Sequence, residues 1–81
     1  MPKSRDPLKD PKPGDVFAHE GGFITVIERL IKTPGQRIFG TGSAKEVVIY
    51  RLHRHPGIKF SAGIKCFRET VKISEVVNAA D

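Results

Sequence analysis

The chain has 81 residues, 38% of them apolar and 28% charged. That is room for one small globular domain, it excludes a disordered composition, and it leaves few side chains for an enclosed active site. Fourteen Lys and Arg against nine Asp and Glu give a formal charge of +5, which either steers acidic partners, nucleic acid foremost, or merely keeps a small domain soluble.

The first 13 residues carry Pro2, Pro7, Pro11 and Pro13 among Lys3, Arg5, Lys9 and Lys12. Proline removes backbone donors and the interleaved charges have nothing to bury, so residues 1–13 read as a disordered basic tail. Pro13-Gly14-Asp15 is turn chemistry leading into a first strand, Val16 to His19. After the Glu20-Gly21-Gly22 turn, Phe23 to Lys32 reads as a second strand, with Phe23, Thr25 and Ile27 on one face and Ile24 and Val26 on the other. The alternation loses phase near Glu28-Arg29, which predicts a bend or bulge there. A helix over Glu28 to Lys32 competes, but Thr33-Pro34-Gly35 cuts it short.

Residues 33–45 form the longest loop, with Gly35, Gly40 and Gly42 permitting positive φ and with Ile38 and Phe39 in its middle. Those two apolar residues either present a contact surface or fold back onto the domain. The Gly-Thr-Gly-Ser-Ala-Lys run ending at Lys45 lacks the Gly-Lys-Ser/Thr ending of a phosphate loop, and no helical pattern follows it. Glu46 to about His53, with Val47, Val48, Ile49 and Tyr50, is the central strand. His55-Pro56-Gly57 then turns the chain into a fourth strand, Ile58 to Ser61. Ala62 to Cys66 reads as a short helical turn, and Phe67 to Ile73 as the closing strand, with Phe67, Glu69, Val71 and Ile73 on one face. Ser74 to Val77 starts a helical turn, and the last residues, 76–81, are expected to fray.

Five short strands, a long loop and one turn of helix before the last strand predict an all-β domain over residues 14–75, a small five-stranded SH3-like barrel behind its disordered tail. The chain also resembles a family of short, uncharacterised bacterial and phage domains. The likeness lies in Pro13-Gly14-Asp15, in the strand Val47-Val48-Ile49-Tyr50-Arg51, and in Phe67-Arg68-Glu69-Thr70-Val71. It spans roughly residues 12–73 and implies a small barrel, with no settled activity attached.

No nucleophile, acid–base pair or metal cluster is written in recognisable form, so no catalytic residue, cofactor or metal is assigned. His53 and His55 share a strand face and could approach a metal with His19, but spacing alone is thin ground for a site, and Arg54 beside them repels a cation. Cys66 is the only cysteine, which excludes an internal disulfide, and it reads as a small core residue rather than a nucleophile. The chemistry-bearing constellation is basic: Arg29, Lys32, Arg51, His53, Arg54, His55 and Lys59, interleaved with Tyr50 and Phe60. On neighbouring strands these form a face that pairs with phosphates, unless the aromatics are core and the charges scattered.

The expected function is a non-enzymatic module that engages DNA or RNA without strong sequence specificity. The rival reading is a protein-interaction or inhibitory module that holds a host protein through Ile38 and Phe39, or through a strand edge, which is also compatible with a homodimer. The longest mostly apolar stretch, residues 21–30, is broken by Thr25, Glu28 and Arg29, and no apolar signal run opens the chain. No membrane association is expected, and a cytoplasmic location follows by default.

Overall fold

The computed structural model of the protein describes residues 5–20 and 22–80, without the His19 side chain. Its elements are β1 (Val16–His19), β2 (Gly22–Ile31), β3 (Glu46–Leu52), β4 (Phe60–Gly63), α1 (Ile64–Val71) and β5 (Glu75–Asn78). The strands form one antiparallel sheet in the order β4-β3-β2-β1-β5. Four consecutive strands meander, and the fifth returns beside the first. Because β4 and β5 each have a single strand neighbour, the sheet is open where a closed barrel was expected.

Two irregularities bend the sheet. Val26 and Glu28 pair with adjacent residues of β3, which leaves Ile27 as an extra residue one position before the expected bulge. In β5, Val76 and Asn78 pair with adjacent residues of β1, so Val77 is extra. Each bulge increases local twist and so curls an otherwise flat ribbon.

Alternation sends one face of β1 to β4 into the core. Phe17, Ile24, Val26, Val48 and Ala62 are buried there with Phe67 and Val71 of α1, and Leu8, Tyr50, Leu52 and Ile64 pack around them. The Phe67 ring lies 5.9 Å from Phe17 edge-on and 5.2 Å from Tyr50, arrangements in which ring edges meet ring faces.

The segment Phe67 to Ile73, expected as a strand, is helical as far as Val71. A spacing of four between Phe67 and Val71 satisfies a strand and a helix equally. The partly buried Ile64 completes an i, i+3, i+7 stripe that only a helix presents on one side. Ile73, counted as an inward strand residue, is instead 84% exposed beyond the helix end. The closing strand is β5, within a stretch expected to turn helical and then fray. Glu75, Val76 and Asn78 pair with β1, and Asn78 Nδ2 donates to Gly14 O at 3.1 Å. The fourth strand likewise begins at Phe60, two residues later than expected.

Several residues of the described N-terminal segment lie against the fold. Pro7 and Pro11 are buried, Leu8 packs on the core, and Arg29 Nη1 donates to the Asp10 carboxylate and to Pro11 O. Proline has no N–H to leave unsatisfied, so its ring can be covered at little polar cost. Residues 1–4 lie outside the described residues.

At the other end, the 33–45 loop folds against the face of the sheet opposite α1. Ser61 Oγ donates to Phe39 O at 2.8 Å, and the Ala44 methyl would stand 2.6 Å from a Cβ built on Gly63. Gly63 is the last residue of β4 and the N-cap of α1, and the atom in the way is a methyl that cannot swing aside. G63A is therefore expected to cost about 1–3 kcal/mol through overpacking. That is a fall in melting temperature of roughly 4–8 °C per kcal/mol in a domain of this size, readable by thermal unfolding followed by circular dichroism.

Candidate nucleic-acid interface

The central strand decides where its charges point. Val48, Tyr50 and Leu52 face the core, so Ile49 and Arg51 face the opposite side of the sheet, where Arg51 sits opposite Thr25 and Ile49 opposite Glu28 and Ser61. His53 continues that side just past the strand end. Its backbone N–H donates to Phe23 O at 3.0 Å, its Nε2 lies 2.8 Å from Thr25 Oγ1, and its ring is 5.5 Å from that of Phe23. The β3–β4 connection is closed by His55 N–H donating to Leu52 O and Ile58 N–H donating to His55 O, both at 3.0 Å. Arg51, His53, Arg54, His55 and Lys59 are all exposed, and among the described residues none of them is in an ion pair.

The other two expected members lie elsewhere. Arg29 Nε donates to Glu46 at 2.6 Å while Nη1 takes Asp10. The Glu46 bond raises the guanidinium pKa against the opposing effect of burial, and Asp10 adds to the rise. Lys32 Nζ donates to Thr41 Oγ1 and Gly42 O, both at 3.0 Å, and so fastens the base of the loop. Both cations are spent inside the fold, which reduces the single basic face expected from the sequence to a group around the end of β3.

Tyr50 and Phe60, interleaved with those charges in the sequence, are half-buried and stack on each other at 5.7 Å. Burial raises the Tyr50 phenol above its ordinary value, with a smaller contribution from Cys66. These rings are packing, not platforms. Cys66, expected in the core, is exposed, because the helix turns Phe67 inward and its neighbour outward. Among the described residues no group of three or more His, Cys, Asp or Glu could hold a metal ion.

The two loop residues part company: Ile38 is half-buried and Phe39 is 97% exposed. Phe23, which the sequence reading did not single out, is 43% exposed beside His53. Its signal was present in the alternation of β2, where Phe23 and Thr25 fall opposite the inward pair Ile24 and Val26.

No protein-family model, curated protein or solved structure matches this chain. Among the described residues no helix is long and apolar enough to cross a membrane.

Proposed function

We propose that this protein is a non-enzymatic module that binds nucleic acid, without strong sequence readout, through the basic group at the end of β3. One observation carries the reading: Arg51, His53, Arg54, His55 and Lys59 stand exposed within nine residues of chain, and no acid pairs with them among the described residues. Unpaired surface cations release condensed counterions when they meet phosphates, which is the main source of sequence-independent affinity. The strand order and the helix before β5 also support an SH3-like barrel bent at Ile27 and Val77, in keeping with the likeness to short bacterial and phage domains.

A protein-interaction or inhibitory role is favoured by a different observation, the near-complete exposure of Phe39 together with the exposed edge strand β5. Amide chemical shifts of the labelled protein distinguish the two. Titration with a mixed-sequence oligonucleotide is expected to move the amides of residues 51–59; a spectrum that stays still would remove nucleic acid as the partner and leave the loop and the β5 edge as the place to look.

A further inference from the structure

We propose that the nucleic acid is single-stranded and lies across the open face of the sheet, with bases stacking on Phe23–His53 at one end and on Phe39 at the other, and Arg51 on the phosphates between. This inference rests on the function proposed above and adds the strand form and the stacking residues.

The placement follows from register. Arg51 and Ile49 are successive outward residues of β3, flanked on β2 by Thr25 and on β4 by Ser61. The Thr25–His53 hydrogen bond holds the imidazole beside the Phe23 ring, so that end carries two aromatic rings in a fixed relation. At the other end Ser61, opposite Ile49, ties the backbone of Phe39 to the same face. From His53 to Ile49 is four residues of extended chain, roughly 13 Å, the reach of a few nucleotides.

The surface has the chemistry of a stacking platform. Ring faces take up any base, so affinity gained this way is tolerant of sequence, and a neighbouring cation holds the backbone. A duplex keeps its base faces stacked inside and offers nothing to a ring lying on a sheet, whereas unpaired bases can be splayed onto it. Glu28 stands on the same face opposite Ile49. Its charge repels phosphate, which puts the backbone of the bound strand on the side of Arg51 and leaves the bases over the rings.

The test uses the full chain with a fluorescein-labelled oligothymidylate and a labelled hairpin duplex, each titrated with wild type, F39A, F23A and F23L. F39A removes a ring that packs on nothing, so its folding is not in question, and F23L keeps the apolar bulk should F23A unfold. Each loss of a ring is expected to weaken single-strand binding about tenfold, within the range of one base stack, with the salt slope and the duplex affinity unchanged. The chain has no tryptophan, so F39W provides a single reporter whose emission should be quenched by the oligothymidylate. Equal binding of both forms, indifferent to F39A and F23L, would overturn the stacking inference and leave the basic-group reading standing. Absence of binding to either form by the wild type would overturn both. Unquenched F39W with intact binding would place the strand away from this face, and the loop would then belong to a protein partner.

Discussion

Asp15→Ala is expected to lower the unfolding free energy by about 3 kcal/mol or more, chiefly because two backbone donors lose their acceptor at about 1–3 kcal/mol each. The side chain is fully buried, and its two oxygens accept four hydrogen bonds. Arg5 Nη1 and Nη2 donate at 2.7 and 2.9 Å, Lys12 N–H at 2.8 Å and Ala80 N–H at 2.7 Å. Asp15 thus binds the N-terminal segment, the start of β1 and the chain beyond β5 at one point, and alanine leaves two backbone donors without their acceptor and the Arg5 guanidinium with only the Asp10 and Ala80 carbonyls. A domain of this length has about 4–12 kcal/mol in total, so a large part of the stability goes, readable as a fall in melting temperature of more than about 12 °C.

The same site sets an acid limit. Burial by itself pushes the Asp15 carboxyl up, but the Arg5 guanidinium and the Ala80 and Lys12 amides outweigh it and hold the group below its ordinary value. A carboxyl whose pKa is lower folded than unfolded binds fewer protons in the native state. Its contribution is therefore complete above about pH 5 and is lost as pH falls past the unfolded value near 3.9 towards the folded one. Wild type should lose stability over that window, whereas D15A should show a flatter profile; parallel profiles for the two proteins would mean that Asp15 titrates without linkage to folding.

The second large effect is on binding. Replacing Arg51 and Arg54 together with alanine should weaken nucleic-acid affinity roughly 10- to 100-fold near 0.1 M salt and reduce the salt slope by about two, since each phosphate contact contributes close to one unit of slope. Both side chains are exposed and lie outside the core, so the melting temperature should hold within the small change usual for surface positions. Replacing Arg29 is the informative contrast. It would unpair Glu46 and Asp10 and lower stability, with the slope left nearly as it was.

The strands whose partners are local in sequence were legible: β1 and β2 from their alternation around a turn, and β3 from its β-branched run, all within a residue or so of their observed limits. The C-terminal third was not, for a physical reason. Phe67 and Val71, four apart, fit either period, and only the tertiary position of Ile64 against the core resolves them. The short strand β5 carries no pattern of its own, being exposed at all four residues, and it exists because β1 offers a free edge and Gly14 a carbonyl for Asn78. The Pro13-Gly14-Asp15 turn announced a bend but not that its aspartate would accept four hydrogen bonds. Its partners Arg5 and Ala80 lie 10 and 65 residues away. Of the basic group, the members around the end of β3 follow from the strand assignment, while the diversion of Arg29 and Lys32 depends on Asp10, Glu46 and Thr41, which only the folded chain brings near.

The most direct test of the proposed function is the affinity of the purified protein for labelled single- and double-stranded DNA and RNA over a salt series. Saturable binding with a steep negative slope of log affinity against log salt, tightest for the single-stranded forms, is the expected result. No saturable binding at low salt would contradict it.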